Sequence, residues 1–254
     1  MRRGLEALRG TTGLVVIAVN TMIVCAVLYP MGLVRTVLPD SRLRKAIGQP
    51  MDRLIDAWVA VARAVVLHLG VTRLDVRFPR EAEGMDRWNL VISNHQSWAD
   101  ILVLQAALYE RIPRLKFFTK RQLTWLPLLG FAMWMLGFPY VYRHSPEQLR
   151  SRPDRMGRNR EATLRQCKRF HERPVSVLIF AEGTRFTKEK WRRGERSFRH
   201  LLRPRMGGIR YVLESLGPKI PTIVDVTIQY EGDVPGFWEF MWGGCRSVDV
   251  NVVS

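Results

Sequence analysis

The sequence predicts an α/β fold: a central mixed sheet flanked by helices and preceded by an N-terminal, membrane-associated helical pair. Three observations predict it. From residue 71 onward short apolar runs alternate with stretches of helical periodicity, the pattern of a sheet covered by helices. Several of those runs end in a polar or charged residue, as strands do where a site is built beyond their carboxyl ends. The first 70 residues instead hold one long uncharged stretch and one amphipathic segment.

The uncharged stretch covers residues 13–34, "GLVVIAVNTMIVCAVLYPMGLV", and its 22 residues are enough to cross a bilayer. Arg2, Arg3 and Arg9 precede it, and Arg35, Arg42, Arg44 and Lys45 follow. A removed signal peptide or a buried core helix is the alternative, but the stretch is long for a signal and lacks a small-x-small cleavage site. Asn20 and Pro30 interrupt its apolar character. The larger basic excess downstream points to an inner, cytoplasmic membrane with the rest of the chain facing the cytoplasm. The arginines ahead of the stretch point the same way for the N-terminal tail, and a hairpin with both ends inside satisfies both, whereas a single span satisfies only the downstream excess. Residues 51–70 repeat apolar positions at helical spacing but carry Asp52, Arg53, Asp56 and Arg63, so they read as an amphipathic helix against the membrane surface or against its neighbour rather than a second span. His68 in that helix reads as a packing or interfacial residue. Residues 1–70 are therefore expected as one module and residues 71–254 as an α/β domain. The final "VDVNVVS" reads as the inside of a strand, which predicts a chain cut short at its C-terminus.

The chain of 254 residues can bury a sizeable core. Forty Lys+Arg against 23 Asp+Glu give a formal charge of +17, which calls for an anionic partner: nucleic acid, an anionic membrane surface or a phosphorylated substrate. Cys25, Cys167 and Cys245 are odd in number and far apart, so they imply neither a disulfide framework nor a metal site.

The chemistry begins after the run "NLVIS", with "NHQSWAD" leading into an apolar helix. His95 falls in the connecting loop and Asp100 at the mouth of the helix. Asp100 has a structural role open to it, as an N-cap. His95 has none, and an imidazole paired with a carboxylate makes a general base. Ser97 reads as a loop serine capping the helix. Further on, "LKFFT" is followed by Lys120, "FPYVY" by Arg143, and "VSVLIF" by "AEGTR". In the last, Gly183 allows a tight turn, Thr184 offers a hydroxyl, and Arg185 offers a planar fork suited to phosphate. The plainer reading of "EGTR" is a surface turn whose arginine is solvated or pairs with Glu182.

Taken together, "NHQSWAD" and "FAEGTR", with His95 and Glu182 87 residues apart, resemble the glycerolipid acyltransferase family, which includes lysophosphatidic acid acyltransferases. The family pattern N-H-x-x-x-x-D is matched by Asn94, His95 and Asp100. Its F-P-E-G-T-R is matched at Phe180, Glu182, Gly183, Thr184 and Arg185, with Ala181 in place of proline. "GFPYVYR" fits an intervening block that ends in Arg143, and Lys120 fits a basic residue upstream of it. "KIPTIVDVTIQY", with Pro221, fits a final apolar block. The resemblance implies that His95, oriented by Asp100, deprotonates an acceptor hydroxyl that attacks an acyl-CoA or acyl-carrier-protein thioester. It also implies an acceptor phosphate held by Arg185, Arg143 and Lys120, in a pocket shaped by Thr184, Gly183 and Glu182. The acceptor implied is a lysophospholipid such as 1-acyl-glycerol-3-phosphate, and neither a metal nor a further cofactor is implied. Residues 125–138, "WLPLLGFAMWMLGF", suit an acyl-chain path and equally a core or membrane-dipping helix.

Two other readings stay open. Residues 150–173 carry nine basic residues against three acidic, and aromatics are interleaved in the basic stretch at 185–210, as in single-strand nucleic-acid binders. A membrane-bound acyl-ester hydrolase using the same His/Asp pair is the other; the chain lacks G-x-S-x-G.

Overall fold

The computed structural model describes residues 2–39, 41–69, 72–120, 128–141, 161, 164–165, 167, 169–195 and 197–254. The chain folds into two compact units. Residues 1–76, 97–109 and 229–250 make the first, and residues 77–96, 110–228 and 251–254 the second.

The first unit begins with α1 (Arg2–Val37), which starts well ahead of the uncharged stretch, ends just after it and takes Pro30 inside it. At ~1.5 Å per residue it is about 54 Å long, enough to cross a bilayer by length and composition. Only 17% of its most apolar window is buried by protein. Val15, Val19, Met22, Ile23 and Val27 are exposed, whereas Val24, Cys25 and Leu28 are buried. The next helix, α2 (Ser41–Ala64), continues as a π-helical turn over Val65–Leu69. It starts ten residues before the apolar repeat at Met51, over a mostly exposed segment that carries Arg42, Arg44, Lys45 and Gln49. α2 packs on α1. Asn20, the polar break in the apolar run, donates its amide to the Trp58 carbonyl at 3.3 Å, and the Trp58 indole donates to Thr21 Oγ1 at 2.9 Å.

The strands follow from the apolar runs. They are β1 (Arg73–Arg77), β2 (Asn89–Ser93), β3 (Leu115–Phe117), β4 (Thr119–Lys120), β5 (Tyr140–Val141), β6 (Ser176–Phe180), β7 (Ile223–Tyr230) and β8 (Ser247–Val253). The helices between them are α3 (Asp100–Leu108), α4 (Leu129–Met135), α5 (Lys188–Arg193), α6 (Met206–Leu216) and α7 (Phe237–Met241). Six strands form one sheet in the order β1-β8-β7-β2-β6-β3, and β4 pairs with β5 in a separate two-stranded sheet. The pairs β2–β6, β2–β7 and β3–β6 are parallel. The fold is therefore the α/β arrangement that the sequence predicts. The run "LKFFT" differs in detail: Phe118 breaks it into β3 and β4, which belong to different sheets.

Burial differs among the interior strands of the sheet. β2 and β6, inside it, are almost continuously buried, as parallel strands covered on both faces are. β7 alternates strictly: Val224, Val226, Ile228 and Tyr230 are buried while Ile223, Asp225, Thr227 and Gln229 are exposed. In the second unit, α6 places Ile209, Val212 and Leu216 on one stripe against Leu90, Val177 and Ile179 of β2 and β6. The amphipathic period of "MGGIRYVLESL" accounts for that packing.

Candidate active site

Strand register explains why two motifs so far apart in sequence meet. Ser93 pairs with Phe180 at the ends of the parallel strands β2 and β6. Two residues beyond each pairing lie His95 and Glu182, at the carboxyl ends where open α/β sheets build their sites.

Glu182 is buried, and both of its oxygens accept backbone hydrogen bonds. Oε1 takes the His95 N–H at 3.1 Å and Oε2 takes the Leu202 N–H at 2.8 Å. The His95 ring stacks on Phe180, with centroids 3.9 Å apart and planes at 14°. The His95 carbonyl accepts the Phe186 N–H at 2.7 Å. The imidazole is thus carried on a loop fastened at its backbone nitrogen and carbonyl by the segment that follows β6, and at its ring by the last residue of β6.

Asn94 has a structural part as well. Its amide donates to the Ile228 carbonyl at 2.9 Å and its Oδ1 accepts the Ile228 N–H at 2.8 Å. In this way it carries the pairing of β2 with β7 one step past the strand end. At position 181 the alanine N–H donates to the Ser93 carbonyl at 3.2 Å, and the Ala181 carbonyl accepts the Arg205 N–H at 2.7 Å. A proline there would have no N–H to give. Gly183 turns the chain at φ +67°, in the left-handed region. A Cβ at that position would meet Arg205 Cδ at 3.0 Å, a tight contact that the flexible arginine side chain would have to relieve, so the backbone angle is the stronger reason for glycine.

Thr184 Oγ1 and the Arg185 carbonyl both receive the Lys190 ammonium, at 2.9 and 2.8 Å. Lys190 projects from α5, whose N-cap Thr187 accepts the Lys190 N–H at 3.2 Å. A cavity of about 400 Å³ lies here, lined by Glu182, Thr184, Lys190, Trp191, Leu202 and Arg203 among others. Arg203 is engaged by Glu195, its Nη1 lying 2.6 Å from both carboxylate oxygens. The Arg185 side chain is exposed. Lys120 ends β4. Arg143 lies outside the described residues, as do residues 125–127 of the proposed acyl path; the rest of that stretch holds α4.

Asp100 belongs to the first unit. It is the first residue of α3 rather than its N-cap; Ala99 holds the cap position and makes no side-chain cap bond. The carboxylate is fully buried. Its Oδ2 accepts the Ser97 N–H at 3.0 Å, and its Oδ1 accepts the Tyr230 phenol at 2.5 Å. The Ser97 hydroxyl donates to the Pro235 carbonyl at 2.6 Å and accepts the Ala99 N–H at 3.1 Å. Ser97 therefore braces the turn that leads into α3 rather than capping the helix itself.

A family model described as Acyltransferase matches residues 78–229, more than half of the chain. The chain belongs to the acyltransferase family. Among curated relatives of this acyltransferase, the 1-acyl-sn-glycerol-3-phosphate acyltransferase epsilon of Mus musculus is 27% identical over 160 residues, covering 58% of this chain and 41% of that protein. The lysocardiolipin acyltransferase 1 of Gallus gallus is 26% identical over 196 residues, covering 72% of this chain and 49% of its own length. The 2-acyl-1-lysophosphatidylinositol acyltransferase of Saccharomyces cerevisiae is 26% identical over 198 residues, covering 64% and 50%. The acyltransferase chain thus spans half or less of the length of these relatives. The crystal structure of the 1-acyl-sn-glycerophosphate (LPA) acyltransferase PlsC from Thermotoga maritima has the same fold. Its TM-score is 0.57 at 16% identity, over 100% of this chain and 87% of that one.

Sequence reasoning missed Lys190 and Tyr230. Lys190 sits in a basic run with nothing to separate it from its neighbours. Tyr230 closes a strand 130 residues from Asp100, and no local pattern joins the two.

Proposed function

We propose that the chain is a membrane-bound O-acyltransferase that moves a fatty acyl group from acyl-CoA or acyl-carrier protein to the free hydroxyl of a lysophospholipid. The acceptor we propose is 1-acyl-glycerol-3-phosphate, and the product phosphatidic acid. His95 removes the acceptor proton, and Asp100 fixes the imidazole tautomer and stabilises the imidazolium. The hydroxyl oxygen attacks the thioester carbonyl, the C–S bond breaks, and the thiolate leaves as thiol with the proton returned from the imidazolium. The transfer is direct, with no covalent enzyme intermediate and no cofactor besides the acyl thioester. Arg185, with Arg143 and Lys120, is assigned to the acceptor phosphate, and Gly183, Thr184 and Glu182 to the shape of its pocket. The catalytic domain faces the cytoplasm, and the partners are membrane lipids.

The observation that supports this reading most is the joining of the two motifs: the Glu182 carboxylate accepts the His95 N–H, so the "EGTR" turn and the histidine loop form one structure. The test is an acceptor panel with radiolabelled acyl-CoA: lysophosphatidate, lysophosphatidylinositol, a lysocardiolipin and monoacylglycerol. Label should pass to lysophosphatidate first and to monoacylglycerol, which lacks phosphate, least. His95→Ala should lower kcat by about a thousandfold, within the ~10²–10⁴ range of general base catalysis. Acyl-CoA breakdown that ignores the acceptor would indicate the hydrolase instead.

A further inference from the structure

Asp100 is held by a residue outside both motifs. A carboxylate turns about a broad sp³–sp² torsion, so a single hydrogen bond leaves its plane loosely defined. Here two donors from different elements grip it: the Ser97 N–H on Oδ2 and the Tyr230 O–H on Oδ1. The second, at 2.5 Å, lies at the short end for an O–H donor on an ionised oxygen. Tyr230 is the last residue of β7, only 5% exposed, and Phe240 meets its ring edge-on at 6.5 Å and 83°. The phenol is therefore presented from a rigid strand end. Burial, reinforced by the Asp100 charge, pushes its ionisation well above the usual tyrosine range, so it stays a donor throughout the working pH range.

We propose that Tyr230 is a positioning residue for acyl transfer: its hydroxyl fixes the plane of the Asp100 carboxylate and acts on the reaction only through it. The inference rests on the base assigned to His95 and Asp100. Loss of the phenol oxygen leaves the ring packing intact but frees the carboxylate to turn, and small misplacements at a reacting centre are costly.

The test is Tyr230→Phe in the full-length, membrane-bound enzyme, with lysophosphatidate and acyl-CoA varied separately and Asp100→Asn measured alongside. Turnover per folded enzyme should fall by about ten- to a hundredfold, with both KM values within about twofold. A lower melting temperature with unchanged kcat per folded enzyme would reduce Tyr230 to a packing residue and overturn the proposal. Loss in Asp100→Asn with normal turnover in Tyr230→Phe overturns the tyrosine role alone. Normal turnover in Asp100→Asn removes the aspartate assignment, and the tyrosine role with it. A second pair covers poor folding: Tyr230→Gln keeps a donor and Tyr230→Met, of similar size, does not. The glutamine variant should turn over faster than the methionine variant, and equal rates would overturn the proposal.

Discussion

At the scale of single residues, Glu182 carries a demand that glutamine cannot meet. Each of its two oxygens accepts a backbone N–H, from His95 and from Leu202. An amide has one acceptor and one donor end, so Glu182→Gln would set an N–H against an N–H inside a buried site. Leaving a buried donor unmatched costs about 1–3 kcal/mol. The variant should melt lower and lose turnover, and a thermal melt with a kcat measurement checks both. How much of the site could be read in advance varies by residue. His95 and Glu182 were legible because each sits in a short pattern at a strand end. The link between them was not, because it depends on the Ser93–Phe180 register, and a sequence carries no register. Ala181 is a bare departure from the family pattern in sequence; that its N–H binds the Ser93 carbonyl is visible only once the strands are paired.

At the scale of elements, apolar periodicity located the central strands and the first helix but not their limits. α2 starts at Ser41, ten residues ahead of its apolar repeat, because a mostly exposed first segment leaves too few buried positions to show as a face in the sequence. Phe118 ends a strand inside the run "LKFFT", where the sequence pattern marks no break. α1 makes its own prediction. It leaves Val15, Val19, Met22, Ile23 and Val27 exposed, and 17% burial leaves most of its apolar window without protein cover. The full chain should stay in the membrane pellet through high-salt and carbonate extraction, as a spanning helix requires. Release by salt alone would mean that basic surface holds the protein there instead.

At the scale of the whole molecule, the charge of +17 narrowed the partners without choosing among them, because charge constrains association rather than fold. The choice came from where two motifs meet. Titration of buried groups sets a further property of the molecule as a whole. Burial pushes the Cys167 thiol from 9.0 up to about 12, and Tyr230 moves in the same direction. Both are raised in the folded state, so the folded chain keeps protons that the unfolded chain releases. Their contribution is complete below pH 9 and is lost as pH rises toward 12. Melting temperature should therefore fall from about pH 9 upward, and Cys167→Ala should flatten the early part of that slope.

The clasp between the histidine loop and the turn after β6 also limits what can be transplanted. A chimera that takes residues 180–205 from another acyltransferase imports the surface that receives the His95 loop, including the partners of Ser93, His95 and Leu202. If the donor carries proline at 181, the Ser93 carbonyl of the host loses its donor. Altered acceptor choice in such a hybrid could then reflect a shifted imidazole rather than a new headgroup pocket. Residues 93–95 and 180–205 are one cassette and travel together.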